Sequence, residues 1–405
     1  MRRKWLPGVT AVAAAVTVLG LPSTPATAAE GARSDQWYLD AMNADALWST
    51  TTGEGVTVAL IDSGVNKAVP ELRGQVTSGQ DFIGEPKNPY DDSGSNHGTW
   101  MAALIAGTGA GGGVKGLAPG ARILSLKTMD DKYAIEDGRL MAAAIRFAAE
   151  SDARIINISQ GVQYGDTADL QEAVDYAVSK GKLIFAATGN DGDQGNEPDA
   201  PATLDGVVGV SAVDKKGTVT KWSAHGPHVA LAAPGDQIPG RCEQRSGMCL
   251  HRGTSHATAI TSASAALIWS RHPDWTANQV LRVMMQTASK PAGKIPSRYL
   301  GYGVVRPAQV LVRHNGDPGD PEVNPLFPDY RPGSGTTSPP SPENGANGRP
   351  APSPEREEPA ENISAAPDDE NDSDNTVVWV GVSVLAAVVI AAAWLGLTRM
   401  RKSRT

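Results

Sequence analysis

Three short stretches supply the side chains needed to attack an acyl group with a hydroxyl: Asp62-Ser63-Gly64, His97-Gly98-Thr99 and Gly253-Thr254-Ser255. A serine hydroxyl is a weak nucleophile near neutral pH. It becomes competent when an imidazole takes its proton and a carboxylate orients and stabilises that imidazole. Asp62, His97 and Ser255 are the residue types this chemistry requires. The negative oxygen of the tetrahedral intermediate also needs donors. Asn190, in Thr188-Gly189-Asn190, offers a side-chain amide, and the Ser255 backbone N–H offers a second. Taken singly, each has a plainer reading: an Asp caps a turn, a Ser caps a helix, and Asn-Asp-Gly makes a loop. All four in one chain point to hydrolytic acyl transfer.

Each group needs an element to carry it. The apolar, β-branched run 56–61 reads as a strand and leaves Asp62 at its carboxyl end, the edge where open α/β sheets gather their ligands. Among seven histidines, His97 alone opens a small-residue helix, 100–107, behind a glycine that permits close backbone approach. Ser255 lies at the start of 254–270, a segment of Ala, Ser, Thr and Ile with so few charges that it reads as a buried helix. The amino end of such a helix carries free N–H groups and the positive end of its dipole. Further strands are expected at 122–127, 154–159, 183–187 and 207–212, and helices at 135–149 and 167–179. Strands apolar on both faces and separated by helices imply an α/β domain, with a mainly parallel central sheet covered on both sides. That domain is expected over residues 34–313.

The two ends have another character. Met1-Arg2-Arg3-Lys4, an apolar run to Leu21 and the small residues near Ala28 make up a secretory signal peptide, expected over 1–28. Residues 377–397 carry no charged side chain and are long enough to cross a bilayer core of about 30 Å as a helix. Acidic residues precede this stretch and Arg399, Arg401, Lys402 and Arg404 follow it. The positive-inside rule therefore places the 398–405 tail in the cytoplasm and the domain outside the cell membrane. A wall-sorting signal would need a Leu-Pro-x-Thr-Gly pentapeptide, which the sequence lacks. The Pro-, Gly- and acid-rich linker 314–375 is expected to be a disordered stalk. The formal charge of −8 and the lack of a basic patch give no sign of a nucleic-acid partner. No metal-ligand cluster or cofactor motif stands out. Cys242 and Cys249, the only cysteines, leave two readings: one small disulfide in an oxidising compartment, or two free thiols.

Several motifs together resemble the subtilase, or subtilisin-like, family of serine proteases. They are the 58–65 strand with its Asp62-Ser63-Gly64, His97-Gly98-Thr99, Gly116-Leu117-Ala118-Pro119, Ile158-Ser159-x-Gly161, Gly189-Asn190, Ala233-Pro234-Gly235 and Gly253-Thr254-Ser255. The order Asp, His, Ser is that of subtilisin. The resemblance implies a subtilisin-like fold and an endopeptidase acting on proteins or peptides, with Asp62, His97 and Ser255 as triad and Asn190 in the oxyanion hole. It also implies that Ser159, Gln160 and Gly161 pair with the substrate backbone as an added strand.

The layout of signal peptide, Gln36-Trp37-x-Leu39, Pro-rich stalk and single carboxy-terminal membrane helix is similar to that of the mycosins. These are the subtilases of type VII secretion, which implies membrane components of such a system as partners and the lipid bilayer as anchor. The short span between the expected cleavage site and Asp62 leaves no room for a folded inhibitory prodomain. A structural or capping subunit of the secretion complex, with dispensable proteolysis, is the alternative. The sequence departs from the subtilase pattern at Trp100 and Met101, at Ala103 for a usual Gly, Gln160 for Leu, His256 for Met or Phe, and Ala259 for Pro.

Overall fold

In the computed structural model, the residues described are 31–332, except 78, 85–87, 91–95, 131–137, 163–166 and 243–246. The signal-peptide, stalk, membrane-helix and cytoplasmic-tail expectations beyond these limits lie outside the described residues. No helix among the described residues is long and apolar enough to cross a membrane.

The strands are β1 Thr57–Asp62, β2 Gln80–Asp81, β3 Arg122–Lys127, β4 Ile155–Ile158, β5 Leu183–Ala187, β6 Val207–Val213, β7 Val229–Pro234, β8 Ile238–Arg241 and β9 Met248–His251. The α-helices are α1 Trp37–Ala41, α2 Ala44–Thr50, α3 His97–Ala106, α4 Arg139–Glu150, α5 Ala168–Ser179, α6 Thr254–Arg271, α7 Ala277–Thr287 and α8 Pro307–Leu311. Strands β1 to β7 form one parallel sheet in the order β2-β3-β1-β4-β5-β6-β7. From β1 the chain builds first to one side, through β2 and β3, and then to the other, from β4 onward. The order therefore reverses beside β1, and the carboxyl ends of β1 and β4 are the position where sheets of this kind gather their ligands. The antiparallel pair β8–β9 stands apart from the sheet.

Alternation along the strands divides the core into two layers, because successive side chains in a strand point to opposite faces. Val58 and Leu60 of β1, with Leu183 and Phe185 of β5, join the layer containing α3, α6 and α7. Ala59, Ile61, Ile184 and Ala186 face the layer built by α4 and α5. Helix α6 is buried from Thr254 to Trp269. Its small residues permit close packing, and its hydroxyls need partners. Thr258, Thr261 and Ser264 each donate to the carbonyl one turn back, at 2.8, 2.9 and 2.9 Å.

The expected strands are present with ends shifted by at most one residue, and β2, β7, β8 and β9 add to them. One expectation is corrected. The extended linker was placed from residue 314, but 315–331 is packed on the domain. Arg282 on α7 donates to the carbonyls of Pro318, Asp320 and Val323. The Pro321 carbonyl accepts from Thr276 Oγ1 and Asn278 Nδ2, at 3.1 and 2.8 Å. Tyr330 is buried and donates to Asp175 Oδ1 at 2.5 Å. Apart from that of Tyr330, these bonds are made by the strap's backbone carbonyls, which every sequence carries, so a composition poor in apolar residues gave no sign of them.

Candidate active site

Asp62 ends β1 and is fully buried, and its Oδ1 accepts from the Ser63 N–H at 2.7 Å. His97 is the first residue of α3, and its Nδ1 lies 2.7 Å from the same Asp62 Oδ1. A carboxylate can only accept, so this contact sets the proton on Nδ1 and leaves Nε2 with a lone pair. The two motifs are locked together. Ser63 Oγ accepts from the Gly98 N–H at 3.0 Å, and Thr99 Oγ1 from the Asn66 N–H at 2.9 Å. A Cβ on Gly98 would lie 2.2 Å from the Gly64 carbonyl oxygen and 3.1 Å from Asp62 Oδ1. Only glycine lets the start of α3 come this close to the end of β1.

Ser255 is the second residue of α6, where its N–H has no acceptor within the helix. Its Oγ donates to the Ser159 carbonyl at 3.1 Å, tying the nucleophile candidate to the segment leaving β4. Ser159 Oγ donates back to the Ser255 carbonyl at 3.4 Å and accepts from Asn157 Nδ2 at 2.8 Å. Asn157 Oδ1 in turn accepts from Ser262 Oγ at 2.9 Å, so a buried polar chain runs from the middle of α6 to Ser255.

Asn190 is held by its carbonyl end. Its Oδ1 accepts from the Thr254 N–H at 2.9 Å and from Thr254 Oγ1 at 3.1 Å. The amide nitrogen is thereby turned toward Gly253, where a Cβ would lie 3.7 Å from it. Gly253 has φ near +158°, a region that favours glycine, and carries the chain into α6. Ser159, Gln160 and Gly161 lie together just beyond β4, and Gln160 Nε2 donates to Thr128 Oγ1 at 2.5 Å.

A second group of residues surrounds this centre. His256 is buried, and neither ring nitrogen reaches a hydrogen-bond partner. Burial above all, then the nearby His97 and His251, push its pKa down to about 3, with the Gly253 carbonyl opposing weakly. It is therefore a neutral imidazole at working pH. Trp100 on α3 packs against His251 of β9 with ring centres 4.0 Å apart and planes tilted by 33°, and His251 lies nearly parallel to His256 at 6.3 Å. Cys242 and Cys249 are joined as a disulfide across the β8–β9 pair. Arg241, just before it, makes a two-pronged bond to the buried Glu71, at 2.7 and 2.6 Å.

Sequence reasoning left Thr254, Ser63, Asn157, the Trp100–His251 pair and the Glu71–Arg241 pair without roles. Thr254 stood inside a quoted motif, and a hydroxyl before the serine was a usable signal. The others depend on contacts across 35 to 170 positions, which no local pattern encodes. Among the described residues no group of side chains could hold a metal ion.

Residues 53–303 match the profile of the Subtilase family. Subtilisin E of Bacillus subtilis (strain 168) is 34% identical over 279 residues, covering 68% of this chain and 71% of that protein. The solved structure of MycP1 from Mycobacterium smegmatis superposes with a TM-score of 0.60 at 28% identity, covering 74% of this chain and 89% of that one. The MycP3 protease from the type VII (ESX-3) secretion system gives a TM-score of 0.57 at 29% identity, over 72% of this chain and 90% of that one. A parallel sheet whose order reverses beside β1, and a family profile matched over residues 53–303, lead to one conclusion: this chain belongs to the subtilase family and is a subtilisin-like serine protease.

Proposed function

We propose that Asp62, His97 and Ser255 are the catalytic triad of a membrane-anchored, extracytoplasmic endopeptidase that processes proteins of a type VII secretion system. In this reading His97 Nε2 takes the Ser255 proton as Oγ attacks the scissile carbonyl. The Ser255 N–H and Asn190 Nδ2 hold the resulting oxyanion. The imidazolium, stabilised by Asp62, then protonates the leaving amine. Water enters by the same route in reverse: His97 takes its proton, hydroxide attacks the acyl-enzyme, and Ser255 leaves protonated. The observation that carries the reading is the 2.7 Å Asp62–His97 contact in a chain of this family, with Ser255 at the amino end of α6.

The secretion role is supported by the likeness to MycP1 and MycP3, the latter described as a type VII (ESX-3) protease. The anchor rests on the apolar 377–397 stretch with its basic tail. Complementation of a deletion strain tests the biological part. Loss of processing of secreted proteins with Ser255→Ala, at normal protein level, is the expected result. Full processing with that variant would contradict it.

A further inference from the structure

His256 is buried beside the nucleophile and has no part in the mechanism above. It follows Ser255 on α6, is 4% exposed, and neither ring nitrogen reaches a hydrogen-bond partner. Buried polar groups are nearly always bonded, so two unmet ring nitrogens call for a partner from outside the protein. The family pattern has Met or Phe at this position, side chains that would need none. The imidazole therefore brings a hydrogen-bonding group to a place where packing alone does not ask for one.

The ring's position narrows what that partner is. The point a Cβ on Gly253 would occupy lies 3.2 Å from His256 Nδ1 and 3.7 Å from Asn190 Nδ2. Donors to one oxygen each stand about 2.9 Å from it, so nitrogens gathered this closely about one point are placed to share an acceptor. Glycine at 253 keeps that space open, since a side chain there would press on Nδ1. Ser255 lies between Gly253 and His256 in the chain, and its N–H has no acceptor within the helix. Three N–H groups thus meet around the amino end of α6. Burial, with His97 and His251 nearby, lowers the pKa of His256 to about 3, so the ring is neutral and carries a single N–H. No protein group fixes that proton on either nitrogen, and an acceptor arriving beside Nδ1 draws it there.

We propose that His256 is an additional donor to the oxyanion, its Nδ1–H joining Asn190 Nδ2 and the Ser255 N–H as the tetrahedral intermediate forms. The proposal rests on the catalytic reading above and adds no bond-making step to it. The ring donates a hydrogen bond, keeps its proton and leaves the base chemistry to His97. His256 is then a catalytic residue whose contribution appears only past the ground state, when the carbonyl oxygen gains its charge.

The test uses the full chain, one peptide substrate and the matching peptide aldehyde, whose adduct with Ser255 places an oxygen where the oxyanion forms. His256→Phe keeps a ring and removes the donor, His256→Met gives the usual family residue, and His256→Gln returns an N–H. A hydrogen bond to a charged oxygen corresponds to roughly a 10- to 100-fold effect, so kcat should fall by about that factor in His256→Phe and His256→Met. KM should stay within about twofold, and His256→Gln should recover part of the loss. The aldehyde Ki should rise in step with the fall in kcat. Peptide Kd, measured on Ser255→Ala with and without His256→Phe, should not change, which a merely structural role would not produce. A kcat and aldehyde Ki unaltered by His256→Phe, a higher kcat in any of the three variants, or a loss shared equally by ground-state binding overturns the proposal while wild-type turnover leaves the catalytic reading intact. A wild-type protein that neither hydrolyses peptide nor binds the aldehyde defeats the catalytic reading, and the proposal falls with it.

Discussion

Asn190 gives the sharpest perturbation, because its two ends are separable. Thr254 holds the carbonyl end through two bonds, 2.9 Å from the N–H and 3.1 Å from the hydroxyl, and the proposed oxyanion role uses the other end, the amide nitrogen. Asn190→Leu removes that donor at nearly constant volume. The loss carried over from the equivalent donor in subtilisin is about 10²–10³ in kcat, or roughly 3–4 kcal/mol of transition-state stabilisation. Thr254→Val keeps the donor but removes one of the two bonds that aim it. A neutral hydrogen bond is worth about 1 kcal/mol, so kcat should fall by about fivefold. Both changes should leave KM within about twofold, since the oxyanion exists only past the ground state. Because Thr254 Oγ1 also accepts from the Gly189 N–H at 3.3 Å, Thr254→Val should in addition lower Tm. Steady-state kinetics on one peptide substrate measures all of this. A fall in kcat of less than tenfold for Asn190→Leu, or a loss confined to KM, would refute the assignment.

Other expectations follow from the same geometry. In the unfolded chain His256 takes a proton near pH 6.5, in the folded protein only near 3. Between those values the unfolded state binds more protons, so stability is complete above about pH 6.5 and declines as pH falls toward 3, by at most about 1.4 kcal/mol per pH unit. His256→Phe should flatten the Tm profile between pH 4.5 and 7.5, leaving the smaller slope due to His228 and His272, whose pKa values burial also lowers. An unchanged profile would show that His256 is not neutral and buried. Arg241→Met strands the buried Glu71 carboxylate. Because Arg241 is itself a third exposed, the cost should sit near the low end for such pairs, about 3 kcal/mol. Calorimetry should show a lower Tm, restored in large part by adding Glu71→Gln. Arg282→Ala releases three strap carbonyls and should expose 315–331 to protease before the domain unfolds, and limited proteolysis with mass analysis reads this directly.

Much of this centre was legible because subtilase chemistry is written in local motifs. Asp62 follows a β-branched run, His97 and Ser255 open small-residue helices, and Asn190 lies just past an apolar strand, so the element beside each could be placed from its neighbours alone. Two-faced apolar strands likewise announced a parallel sheet. What stayed hidden was set by distant contacts. The strap over α7 uses backbone carbonyls that every sequence has. Asp199 lies against Gly161 because a Val162–Ala200 bridge brings the two segments together, a meeting that spacing does not encode. Gln160, which stands where the family usually has Leu, spends its amide on Thr128, a contact 32 positions away.

Active-site labelling tests the central assignment most directly. The folded full chain is treated with a fluorophosphonate probe, beside Ser255→Ala and His97→Ala. Labelling should be stoichiometric on Ser255 in the wild type and absent in both variants. A wild-type protein that takes no label, or label that persists in Ser255→Ala, would contradict it.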